Sequence, residues 1–189
     1  MQRRTCIRLA VAFAALAGSA GPALAAGATG AATKTFSGSG VAFRYPAAWH
    51  VSPPAWRWAS SFTILVTYLS TGALHDPCAR TASSTTCSSP LAVLAPGGVL
   101  VTWTRGSLPS WSLTKQPGRA TRLAGHPAKL QIAHPGACRA LQATETVTAQ
   151  IALGPASDSL QMQACLRGST ARANEARVRA MLATLRVSG

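Results

Sequence analysis

Residues 41–46 alternate, with Val41, Phe43 and Tyr45 apolar against Ala42 and Arg44, and Pro46 closes the run. That period of two is a short strand ended by a proline. Residues 61–69 are a stronger one, with Phe62, Ile64, Val66 and Tyr68 on one face and Leu65 and Leu69 on the other. Apolar residues on both faces predict a central strand covered on both sides. Residues 91–94 and 99–104 flank Ala95-Pro96-Gly97-Gly98, where Pro followed by Gly suits the centre of a type II turn, so a hairpin is expected there. Residues 119–123 fit an edge strand, and Leu130 and Ile132 alternate with Lys129 and Gln131 in a half-buried strand over 127–133.

The clearest pair follows. Val147, Ala149, Ile151 and Leu153 alternate with polar residues, then Leu160, Met162, Ala164 and Leu166 do the same, with a turn over 154–158. After Gly168 the period changes, because Val178, Met181, Leu182 and Leu185 sit at i, i+3, i+4 and i+7. That is an amphipathic helix of about three turns, with Arg172, Arg179 and Arg186 on one flank of the stripe and Arg177 on the other. The expected fold class is α+β: an antiparallel sheet of six or seven strands, one face covered by the C-terminal helix and by a short helical piece near residues 49–60.

The N-terminus has no such pattern. Arg3, Arg4 and Arg8 precede a small, apolar run over residues 9–17, then Gly21-Pro22 and Ala23-Leu24-Ala25. This three-part layout is a secretory signal over residues 1–25, cleaved before Ala26. The apolar run is too short to span a bilayer. Cys6 precedes it and cannot be the lipid-modified residue of a lipoprotein signal. The expected organisation is a flexible leader over 26–35, with order beginning near Phe36, and a single domain over 36–189. The mature protein is expected to be secreted or held at the cell envelope, unanchored and monomeric.

Four cysteines remain: Cys78, Cys87, Cys138 and Cys165. With no C-x-x-C pair and no His at finger spacing, an exported chain uses them as two disulfides, for which three connectivities exist. Cys78 with Cys87 encloses only a polar stretch. Cys138 with Cys165 follows from parity: Cys165 lies opposite the inward series Leu160 to Leu166, and counting back by twos from Thr146 puts Cys138 on the same face. The count requires the strand to reach that far. A simple hairpin through 154–158 pairs Cys165 near Val147 and makes Cys138 fold back over several residues.

Charge narrows the function. Only Asp76, Glu145, Asp158 and Glu175 are acidic, against 18 Lys and Arg, a formal net charge of +14. Without the signal's three arginines, 15 basic side chains face 4 acidic ones, a balance of +11. Such a balance attracts anionic polymers or acidic lipid headgroups, but the arginines are scattered and no nucleic-acid motif is present. Catalytic groups are sparse. Gly38-Ser39-Gly40 lacks the nucleophile-elbow pattern, His126 and His134 sit at opposite ends of one strand, and His75-Asp76 suits a surface cap. No cofactor or metal site is expected. Trp56, Trp58 and Trp111 are the candidates for an aromatic ligand or partner surface.

The segment from Gly40 through Tyr45-Pro46 to Trp49 resembles the opening of the PsbP-like fold. Gly125-His126-Pro127-Ala128 resembles its turn into a strand, and residues 178–187 its closing helix and short end strand. Exported actinobacterial proteins of unknown role carry this pattern. The resemblance covers residues 36–187, is structural in character, and implies a non-enzymatic domain that binds a partner. The cysteine-bearing loop over 70–90 departs from the minimal fold. The leading expectation is an envelope domain binding an unidentified envelope protein or an anionic cell-wall polymer; the alternative is a small secreted hydrolase.

Overall fold

The computed structural model describes residues 32–154 and 157–188. The expected signal over residues 1–25 lies outside them, as does most of the leader. Order begins earlier than Phe36, because strand β1 runs Thr33–Gly38 and pairs antiparallel with β2, Val41–Pro46. Ser39 and Gly40, both at positive φ, make the tight turn between them.

Seven antiparallel strands form the main sheet. In chain order they are β3 (His50–Val51), β4 (Thr63–Ser70), β7 (Val99–Ser107), β8 (Arg119–Leu123), β9 (His126–Ala133), β10 (Glu145–Ala152) and β11 (Asp158–Leu166); their spatial order is β3-β4-β7-β11-β10-β9-β8. A separate hairpin joins β5 (Cys78–Arg80) to β6 (Thr85–Cys87). Helix α1 spans Ala171–Ala183, and β12, Arg186–Val187, pairs with β2 to complete a small sheet in the order β1-β2-β12.

The small sheet and α1 cover one face of the large sheet. Val41, Phe43 and Tyr45 from β2 and Val178, Met181 and Leu182 from α1 share one buried cluster with Val101, Trp103, Val147, Ile151, Leu160 and Met162. Phe43 stacks between Phe36 and Trp103, each pair 5.1 Å apart. Helical burial follows the predicted stripe, although α1 ends before Leu185, which is still buried, and Arg186 leaves the helix flank for a strand. The other face carries a second cluster, with Leu65, Tyr68, Leu100 and Cys165 under Leu94, Cys138 and Ala143.

The α+β class and the antiparallel sheet hold, but three local expectations change. Residues 91–94 form no strand; Leu94 instead plugs the second face, while the type II turn survives, with Gly97 at φ +76° and the Gly98 amide bonded to the Ala95 carbonyl at 2.8 Å. The helical piece before Ser60 is one 3-10 turn, Pro54–Trp56, with no buried residue; it covers nothing, and Trp49 packs in the core instead. In β4 a bulge between Leu65 and Thr67 breaks the alternation. Val66 stays with the first cluster, Tyr68 turns to the second, and Phe62 and Ile64 stand in solvent. An extra residue opposite one partner shifts parity by one, so every later side chain changes face.

Both disulfides are present, Cys78–Cys87 and Cys138–Cys165. The second forms without a continuous strand. Strand β10 starts only at Glu145, Cys165 lies opposite Thr146, and a 3-10 segment over Gly136–Leu141 folds Cys138 back across the second face.

Candidate anion-binding groove

Three of the four acidic side chains are paired with arginines. Asp76 pairs with Arg80 at 2.8 Å, Asp158 with Arg105 at 3.0 Å and Glu175 with Arg179 at 2.5 Å, and Glu145 approaches His134 at 3.8 Å. Two backbone and side-chain bonds, from the Cys78 amide first and Arg80 second, hold Asp76 below the usual carboxylate range. Twelve of the 15 Lys and Arg among the described residues therefore have no Asp or Glu within ion-pair distance.

Two of those twelve, Arg44 and Arg186, lie on the solvent side of the small sheet, and a third, Arg177, stands beside it on α1. Because Val41, Phe43 and Tyr45 point into the core, Ala42 and Arg44 point out, and the register brings Thr35 opposite Arg44 and Arg186 opposite Ala42. A cleft of about 470 Å³ lies here, lined by Thr35, Arg44, Thr184 and Arg186 among others. A second, of about 270 Å³, continues past Ala42 and Arg186 towards Gly38 and Gly40. The third, of about 210 Å³, shares Arg44 and Thr184 and reaches Arg177 on α1. The shared residues make these adjoining parts of one groove, and among the described residues no Asp or Glu lines it.

Neutral partners orient two of the arginines without cancelling their charge. Arg44 donates from Nε and Nη2 to Thr33 Oγ1, at 3.1 and 2.6 Å, while its amide donates to Thr184 Oγ1 at 2.9 Å. Arg177 donates to Asn174 Oδ1 at 2.6 Å, and the buried Asn174 is itself anchored to the Gly97 carbonyl at 3.1 Å. A guanidinium carries five donors, so most remain open to an anion. Phosphate, sulfate or carboxylate groups on a polymer are what this groove can bind.

The tryptophans lie elsewhere. Trp58 is half-buried against the second-face cluster and donates to the Tyr68 hydroxyl at 3.4 Å. Trp56 ends the 3-10 turn, and Trp111 is half-buried with its amide on the Leu108 carbonyl at 2.9 Å. None of the three lines the groove. His126 opens β9 and His134 follows its end, while Asp76 caps the Cys78 amide at 3.0 Å.

Glu145 is the polar residue that sequence reasoning passed over. It is 8% exposed, its Oε1 has no hydrogen-bond partner, and burial, then the charge of Glu175, raises its carboxyl above the usual range. Parity could have found it, because Glu145 continues the inward series Val147, Ala149, Ile151 by one step of two.

No protein-family model matches the chain, and no curated protein is significantly similar to it. Among solved structures, a crystal structure from Bacteroides thetaiotaomicron VPI-5482 aligns with 79% of this chain and 46% of that one, at 10% identity and a TM-score of 0.35. The chain spans less than half the length of that protein.

Proposed function

We propose that this is a non-enzymatic, PsbP-like domain of the cell envelope that holds a polyanionic surface in the groove of Arg44, Arg177 and Arg186. The observation that carries the reading is the groove itself: three arginines, two of them oriented by Thr33 and Asn174, lining a groove that no Asp or Glu among the described residues enters. Export agrees with the two disulfides, and among the described residues no helix is long and apolar enough to cross a membrane. A hydrolase has less support. His134 and Glu145 approach each other, but neither lines the groove or the cleft nearest to them, which is bounded by Arg119, Leu130, Ile132 and Arg179.

The test is retention on immobilised polyphosphate over a salt gradient. Binding should fall steeply with salt, and Arg44→Gln/Arg177→Gln/Arg186→Gln should weaken it far more than Arg119→Gln/Arg122→Gln/Arg139→Gln, which removes equal charge elsewhere. Equal losses would mean that net charge alone attracts the polymer. Binding that persists at about 1 M salt, where the screening length is ~3 Å, would sink the electrostatic reading.

A further inference from the structure

At the Gly38–Gly40 end of the groove the molecule exposes apolar side chains that the core could have taken. Phe62 is 49% exposed, Ile64 46% and Leu108 38%. Phe62 and Ile64 come together because the start of β4 lies along the end of β7: the Ser107 amide donates to the Phe62 carbonyl at 2.9 Å, and Ile64 is opposite Arg105.

The segment is held in this pose. Ser60 Oγ accepts from the amides of Phe62 and Thr63, at 3.4 and 3.1 Å, the Ser60 amide donates to the Thr63 carbonyl at 2.8 Å, and Ala59 bridges to Ile64. A capped turn of this kind keeps Phe62 and Ile64 presented to solvent. The cleft among them is only about 170 Å³, below the size of an ordinary small-ligand pocket.

Arginines stand beside the apolar tip. The Arg57 guanidinium lies against Gly38, where a Cβ would meet its Nη2 at 2.6 Å, and Arg105 reaches Gly40, where a Cβ would be 3.3 Å from its Nη1. Asp158, paired with Arg105, lines the cleft at this end.

Aromatic and aliphatic side chains beside a cationic rim, in a strongly basic protein, match an anionic bilayer in both charge and polarity. We propose that this end docks on an anionic lipid bilayer, with Phe62 and Ile64 entering the boundary between headgroups and acyl chains and Arg57 facing the headgroups. The proposal names the surface that the anion-binding reading leaves general, and it rests on that reading only for the attraction.

Co-sedimentation with phosphatidylglycerol–phosphatidylcholine vesicles, against pure phosphatidylcholine, tests it. The parent should bind the mixed vesicles and scarcely bind the neutral ones. Phe62→Ser/Ile64→Ser should lose about tenfold or more in partitioning while its retention on polyphosphate and its melting temperature stay unchanged, since both side chains are exposed. Failure of the parent to bind mixed vesicles, or equal binding by the double variant, would overturn the tip. Loss of polyphosphate retention in the groove triple variant with vesicle binding intact would leave the tip supported. Absence of polyphosphate retention in the parent, with vesicle binding kept, overturns the groove alone.

Discussion

Removing the two disulfides one at a time should give unequal losses of stability, although both are intact in the same fold. Cys138–Cys165 spans 27 residues and Cys78–Cys87 spans 9. On chain entropy alone, opening these loops costs about 3.5 and about 2.5 kcal/mol respectively. Location widens the gap. Cys138 and Cys165 are each 3% exposed and tie the Gly136–Leu141 segment to β11, in the middle of the seven-stranded sheet. The other bridge closes β5 and β6, which form their own two-stranded sheet. A unit of that kind opens locally, and its loss is felt little by the global transition. Cys138→Ala/Cys165→Ala should therefore lower the melting temperature by roughly 10 °C, the shift that about 3.5 kcal/mol produces in a domain of this size. Cys78→Ala/Cys87→Ala should move it by no more than about 3 °C while amides of β5 and β6 exchange faster. Calorimetry under non-reducing conditions measures the first quantity and hydrogen exchange the second. A larger thermal loss for the hairpin pair than for the sheet pair would refute the assignment of the hairpin as a separate unit.

Two further substitutions probe the core. Leu182→Ala removes a buried side chain from the seam between α1 and the large sheet and should cost about 2 to 5 kcal/mol in chemical denaturation; an unchanged midpoint would mean that the stripe carries no packing. Glu145→Gln tests the raised carboxyl. Because the folded state binds its proton more tightly than the unfolded chain does, ionisation costs the native state stability above the ordinary carboxylate range, and the cost vanishes below it, where both states are protonated. The variant should melt higher than the parent at pH 7, by on the order of 1 kcal/mol, with the difference shrinking on acidification. A variant less stable at pH 7 would show that the charge is held favourably by His134 and Arg179.

Strand and helix content was legible wherever solvent and core impose a local period. Val147, Ala149 and Ile151 against Leu160, Met162 and Ala164 announce a hairpin, and the register is the one that alternation demands, Ile151 opposite Leu160. The Pro96-Gly97 turn, the α1 stripe and the Cys78–Cys87 bridge were readable in the same way, because each is set within a few residues, whereas Cys138–Cys165 was expected from a strand parity that stops at Glu145, and a 3-10 segment makes the bridge instead. Residues 91–94 misled because four apolar residues carry no period, and a loop that plugs a sheet face needs them as much as a strand does. Tyr68 misled because a single bulged residue is invisible in composition yet reverses the faces beyond it.

The groove belongs to the tertiary structure alone. Arg44 and Arg186 share it because β12 returns to pair with β2, and Arg177 joins because α1 packs against that strand; in sequence they are scattered arginines. The physical reason is one of range. Alternation records which side of its own strand a residue takes, whereas the choice of neighbouring strand is decided by burial summed over the whole domain, as β2 showed in leaving the large sheet for a second layer above it.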